Sequence, residues 1–273
     1  MSFGEDIEKE FRNQTCSIIN AKEEDLFNAL KNTFVVAANS SIKRCSVIHG
    51  PKSFVEFDDK EGPVFYEQKD RGKSKVKCEL ADMLFICSDG NMLRICFLQN
   101  KFKRKIHELL DPFSVDLRQL YLLKERPIFR RKKLECTLLN KAICPSIGSY
   151  GIFSNTNKNG IFEMIYYSAD AIEKLPVFKS SARLKIEEPR RKKFGKFEQM
   201  QYAVNIKDFA ENLKNMLIGS PFDIEEGLIL LGNREIINEF VNMGLISEGR
   251  ANLLDIDENR KTPYKAIVIL DCR

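Results

Sequence analysis

Asp82, Gln99 and Lys101 bring a carboxylate, an amide and an ammonium into one short stretch, CELADMLFICSDGNMLRICFLQNKFKR, which begins at Cys78. Side chains alternate faces along a strand, so Gln99 and Lys101 share a face with Leu93, Ile95 and Phe97. Ser88-Asp89-Gly90-Asn91 is a hairpin signal between two apolar runs. With Asp89-Gly90 as a two-residue loop, Ser88 pairs with Asn91 and Asp82 with Phe97, leaving Asp82 diagonal to Gln99 on one face. Hard divalent cations take oxygen ligands of this kind. Asp82 is then the principal ligand, completed by the side-chain carbonyl of Gln99 and the backbone carbonyl of Asn100. Glu79 falls on the opposite face by strict alternation. A bulge would turn it inward as a further catalytic acid; otherwise it is a surface or salt-bridging residue.

These residues resemble the PD-(D/E)XK, or restriction-endonuclease-like, nuclease superfamily. The resemblance runs from about Lys77 to Phe153. It is carried by the Glu79-Leu80-Ala81-Asp82 lead-in, the two apolar strands, Gln99-x-Lys101 and the helix that follows. The family pattern has an acid before x-Lys, and Gln99 stands in its place. The resemblance implies an α/β fold, a mixed β-sheet flanked by helices, with additional C-terminal helices here. It also implies metal-dependent hydrolysis of DNA phosphodiester bonds with Mg2+ or Mn2+. The ion would lower the pKa of a bound water and polarise the phosphate. Lys101 would position the attacking water and offset charge developing on phosphorus.

Gln99 removes one negative charge and weakens the hold on a metal. Glu79, an acid of the preceding helix (Glu23, Glu24 or Asp25), a substrate phosphate or an activating partner would compensate; otherwise the site is inactive. For the helix acids, stabilising the helix N-terminus against its dipole is the favoured reading. By analogy alone, such proteins serve in DNA restriction or phage defence, often beside a helicase or sensor protein. Double-strand cleavage with one site per chain would favour a homodimer. The alternatives are a catalytically inactive nuclease-like module that binds DNA or scaffolds a partner, and a structural subunit of a larger complex. RNA stays open beside DNA as the substrate.

The elements that must position these residues follow from periodicity. Ala21–Val36 reads as a helix, with Leu26, Ala29, Leu30 and Phe34 on one face. Phe54–Phe57 and Val64–Tyr66 read as short strands. Ser114 is placed to cap a helix that Pro127 ends, and Gln119 lies beside its apolar stripe, where it could point towards the catalytic hairpin, though a surface residue is favoured. Leu134–Leu139 then reads as the returning strand of a right-handed crossover. Ser149–Phe153 and Ile161–Tyr167 flank an Asn/Gly-rich tip. Helices are expected over Ile206–Ile218 and Glu235–Met243, and a closing strand over Tyr264–Leu270. The domain reading is a nuclease-like domain over 1–180, a charged loop or linker over 181–203, and a helical extension over 204–273 with a closing strand.

At 273 residues the chain can bury a large core. Its eight cysteines form no CxxC pair, and Cys87, Cys96 and Cys136 sit in apolar runs, as buried reduced thiols of a cytoplasmic protein would. With two histidines, a His-based zinc site is disfavoured. No P-loop and no Gly-x-Ser-x-Gly motif appears, which disfavours nucleotide hydrolysis by a P-loop and serine hydrolysis. No apolar run suits a membrane span, and no secretory signal opens the sequence. The net charge of +5 is concentrated in three runs. Candidate phosphate contacts within them are Lys103, Arg104 and Lys105; Arg130, Arg131 and Lys132; and Arg190 and Arg191. Taken singly, such runs are more often solvated faces. The first gains weight from its place directly after Lys101.

Overall fold

The computed structural model describes residues 2–39, 45–49, 54–58, 75–103, 112–131, 134–155, 161–174, 181–184, 191–203, 205–256 and 264–273. Its centre is a mixed sheet of β1 (Cys45–His49), β17 (Ala266–Asp271), β4 (Met83–Ser88), β5 (Met92–Lys103), β9 (Gly148–Asn155), β10 (Phe162–Ser168) and β15 (Tyr202–Ala203), in that order. The pairs β17–β4 and β5–β9 are parallel and the other neighbours antiparallel. β16 (Ser220–Asp223) pairs with the first residues of β5, so that long strand has β16 beside one end and β9 beside the other.

Apolar residues fill both faces of this sheet, which is why β4 reads MLFICS without a polar break until its end. One face carries Leu84, Ile86, Leu93, Ile95 and Phe97. It packs against α3 (Leu117–Glu125), α5 (Ile224–Leu231), α6 (Arg234–Asn242) and α7 (Glu248–Leu253). The other carries Met83, Phe85, Cys87, Cys96 and Leu98 against α1 (Phe3–Thr15), α2 (Glu23–Asn39) and α4 (Ile206–Lys214). The class is α/β, a mixed sheet with helices on both faces. No described helix is long and apolar enough to cross a membrane.

Three smaller sheets complete the described elements. β2 (Phe54–Asp58), β3 (Lys75–Glu79), β7 (Phe129–Arg131) and β8 (Leu134–Cys136) form one, in the order β3-β2-β7-β8. β6 (Phe113–Ser114), β11 (Ile172–Lys174) and β12 (Ser181–Leu184) form another, and β13 (Arg191–Phe194) with β14 (Phe197–Met200) a hairpin.

The sequence expectations need four corrections. The β4–β5 loop is two residues longer than a two-residue turn, and Ser88 pairs with Leu93. The Asp89 carboxylate accepts from the N–H groups of Asn91 and Met92 at 2.9 and 3.0 Å, which closes the wider loop. Asp116, not Ser114, caps α3, accepting from Arg118 N. The strand after α3 is not the returning strand of the crossover: β7 and β8 join β2, and β9 is the strand that runs parallel to β5. Gly148 lets β9 start against α3, since a Cβ there would lie 2.4 Å from the Leu123 carbonyl oxygen. Finally, the charged stretch 181–203 contains β12, the β13–β14 hairpin and β15 among its described residues. The expected strand Val64–Tyr66 lies outside the described residues. The closing strand sits centrally, as β17 between β1 and β4.

Candidate active site

Asp82 is the residue just before β4, and its main chain ties three strands together. Its N–H donates to the Leu98 carbonyl at 3.2 Å, and its carbonyl accepts from Lys265 N and Ala266 N, each at 3.3 Å. The four-residue loop puts Asp82 directly across from Gln99 rather than diagonal to it. The slip is two residues, so the face is unchanged. Asp82 is 4% exposed and Gln99 3%. Burial at that level would be expensive for a lone carboxylate.

The site supplies donors instead. Asp82 Oδ2 accepts from Gln99 Nε2 at 2.6 Å and from the Asn100 N–H at 2.9 Å. Its Oδ1 accepts from the Lys265 ammonium. Lys265 Nζ also lies 3.6 Å from Glu79 Oε2 and 5.7 Å above the centre of the Phe27 ring. Behind Gln99, the Gln119 amide donates to Gln99 Oε1 at 2.6 Å and to the Glu79 carbonyl at 3.1 Å. The Gln99 side chain thus has its oxygen fixed by Gln119 and its nitrogen turned to Asp82.

Each expected residue can now be located. Asp82 and Gln99 come together as the pattern required. Glu79 does not lie on the Asp82 strand; it ends β3 in a different sheet, and the Leu80-Ala81 step brings it to the same corner through Lys265. Lys101 shares the corner, yet the partner of its Nζ is Glu23 Oε1 at 3.2 Å, across from the first turn of α2. Among the helix acids, Asp25 accepts from Lys22 N at 2.9 Å and so supports the helix start, while Glu23 reaches the site. Asn100 points its side chain to the opposite face, fully buried, with neither polar atom hydrogen-bonded. Its backbone carbonyl lies 3.2 Å from Gln99 Nε2.

Two residues outside the expected set also reach this corner. Gln119 is 4% exposed and is not a surface residue; its offset from the apolar stripe of α3 was the available signal. Lys265 stands 183 positions from Asp82, and no local pattern marked it. Cys96, beside the site in sequence, is a packed thiol whose pKa burial pushes up to about 12, which disqualifies it as a nucleophile.

The basic runs behave differently from one another. Lys103 is half-buried at the end of β5. Arg130 is ion-paired to Asp58 at 2.7 Å and to Glu135 at 2.9 Å, so a phosphate would have to compete with both carboxylates for it. Arg131 is half-buried on β7, and Arg191 is exposed on β13. Arg104, Lys105, Lys132 and Arg190 lie outside the described residues.

No family model, curated protein or solved structure matches this chain.

The chemistry of the donor set bears on a metal. No described group of three or more His, Cys, Asp or Glu side chains is arranged to hold an ion. What converges is oxygen of mixed origin: Asp82 Oδ2 and the Asn100 carbonyl flank the Gln99 amide, at 2.6 and 3.2 Å from its nitrogen. An amide turned over would present its own oxygen to the same place, at the cost of the hydrogen bond from Gln119. Such a set fits a hard divalent ion that keeps several waters, as Mg2+ does.

Proposed function

We propose that this chain is a metal-dependent nuclease-like phosphodiesterase acting on DNA. The observation that carries the reading is the facing of Asp82 and Gln99 across the β4–β5 hairpin, with Lys101 one strand repeat further and Glu23 beside it. A divalent ion held by Asp82, Gln99 and the Asn100 carbonyl would supply a nucleophilic water and polarise the phosphate.

The chain's own residues do the rest. Glu23 holds Lys101 extended along the face of β5. A phosphate arriving at the corner competes with Glu23 for that ammonium. Lys101 then orients the attacking water and offsets the charge developing on phosphorus. Gln119 holds the Gln99 oxygen in the metal-free state, and Gln99 turns that oxygen to an ion by giving up this hydrogen bond. Lys265 offsets one of the two negative charges of Asp82 and Glu79, and an incoming cation has to compete with it for Asp82. A restriction or phage-defence setting, with a helicase or sensor as partner, rests on analogy.

A second reading has its own observation. Asp82 is loaded with two N–H donors and one ammonium, as in a structural ion-pair network. That favours an inactive nuclease-like module that binds DNA or scaffolds a partner.

Incubation of supercoiled plasmid with Mg2+ or Mn2+ separates the two. The nuclease reading expects metal-dependent nicking that Asp82→Ala and Lys101→Ala abolish while circular dichroism stays unchanged. Plasmid left intact by the wild type favours the inactive module, and nicking that survives both substitutions places the chemistry elsewhere.

A further inference from the structure

Among the described strands the β13–β14 hairpin is a separate two-stranded ribbon, pairing Arg191 with Met200, Lys192 with Gln199, Lys193 with Glu198 and Phe194 with Phe197. Gly195, at φ +59°, allows its tight Gly195-Lys196 turn. Arg191, Lys192, Lys193 and Lys196 are all exposed. Against these four cations the hairpin sets one carboxylate, Glu198, 3.7 Å from Lys193. Lys192 and Lys196 each lie 5.2 Å from the centre of a ring, Phe194 and Phe197 respectively. Those rings give the two lysines apolar surfaces to lie along while their ammonium groups stay in water.

One strand of the ribbon, β14, is firmly held against the body, with Gln199 and Met200 buried. Arg94, 4% exposed, donates to the Glu198 carbonyl and the Gly219 carbonyl, each at 2.9 Å, and lies 5.8 Å from the Phe197 ring centre. Gln199 Oε1 accepts from Ser146 N at 2.9 Å. A buried guanidinium spent on main-chain carbonyls holds β14 against the body close to the turn, while the cations of β13 and Lys196 stay in water.

We propose that this ribbon is a groove-entering arm for duplex DNA. It deepens the nuclease reading by naming the substrate class, and it rests on that reading for its relevance to cleavage. The major groove of B-DNA, about 12 Å wide, admits a two-stranded β-ribbon, and four-residue strands extend about 13 Å along it. The deep, narrow major groove of A-form RNA does not admit one. Positive charge on the ribbon meets phosphates on both walls of the groove, releasing counterions. Arg94 and Gln99 lie five residues apart on β5, about 17 Å at strand rise, and leave it on opposite faces.

The test is fluorescence anisotropy in EDTA, so that cleavage plays no part, with the full chain and a labelled DNA duplex of about 30 base pairs, about 100 Å long. Matched duplex RNA and anionic lipid vesicles serve as competitors. The proposal expects the combined Arg191→Ala, Lys192→Ala, Lys193→Ala and Lys196→Ala variant to lose at least about tenfold in affinity. Its log K against log salt slope should become shallower by about 0.9 for each phosphate contact removed. A charge-keeping variant, Lys192→Arg with Lys193→Arg, should bind as the wild type does, which separates charge from folding. Equal affinity and slope in the alanine variant overturns the proposal. So does equal competition by duplex RNA, or stronger competition by vesicles. Because plasmid nicking is scored separately, failure of the ribbon and failure of the nuclease reading are distinct results.

Discussion

At one end of β5 a buried carboxylate is surrounded by donors, whereas at the other a buried guanidinium is surrounded by acceptors. Asp82 receives the Gln99 amide, the Asn100 N–H and the Lys265 ammonium. Arg94 gives its N–H groups to the carbonyls of Gly219 and Glu198, and no carboxylate accepts from it. Main-chain carbonyls cannot move far or change charge, so Arg94 makes a fixed joint. Two side chains from separate elements meet Asp82, Gln99 from β5 and Lys265 from just before β17, and the second carries a charge that also reaches Glu79, so that corner can exchange partners. Burial alone does not mark a functional charge; the exchangeability of its partners does.

The first way to break this comparison is to remove each charge in turn. Asp82→Asn keeps the volume and should cost at least about a thousandfold in metal-dependent cleavage, about 4 kcal/mol in the barrier. Plasmid assays with folded protein measure this. Arg94→Met should do the reverse. It should lower stability by about 3 kcal/mol, because two carbonyls lose their donors, and weaken DNA affinity by loosening the ribbon, with little loss in cleavage per folded molecule at saturating DNA. Urea denaturation gives that figure, and a catalytic collapse in this variant would erase the distinction between the two ends.

Lys265→Met sharpens the account of the Asp82 end. Without metal it should destabilise by about 2 kcal/mol, because Asp82 loses its ammonium partner. It should also raise Mn2+ affinity by about 3- to 10-fold, roughly 1 kcal/mol, by removing an internal competitor. Thermal shifts with and without Mn2+ read both effects, and added metal should rescue the variant more than the wild type. The smallest effect belongs to Gln119→Leu, which strands Gln99 Oε1 and should cost about 1–2 kcal/mol in urea. A wild-type stability would mean that Gln119 does not orient Gln99.

The sequence made some of this visible and hid the rest for physical reasons. The face shared by Gln99 and Lys101 followed from strand alternation, which a register slip of two residues leaves intact. The slip itself was hidden in the Asp89 side chain, whose hydrogen bonds choose the wider loop. Helix α1 carries a capping box, Ser2 with Glu5, which a search for S-x-x-E would have caught. The parallel partner of β5 was misassigned because β8 and β9 are both short apolar runs after α3. Only pairing partners distinguish them. Lys265 was invisible because strand order is a long-range property, and periodicity around Tyr264–Leu270 indicates a strand without naming its neighbours. Gln119 looked like a surface residue because its partner lies on another element.

The most direct measurement is Mn2+ binding followed by electron paramagnetic resonance, comparing wild type, Asp82→Asn and the hairpin alanine variant, with no DNA present. The account predicts saturable binding by the wild type, loss in Asp82→Asn and unchanged binding in the hairpin variant. Absence of Mn2+ binding in the wild type, or binding indifferent to Asp82→Asn, would contradict a metal-dependent site at this corner.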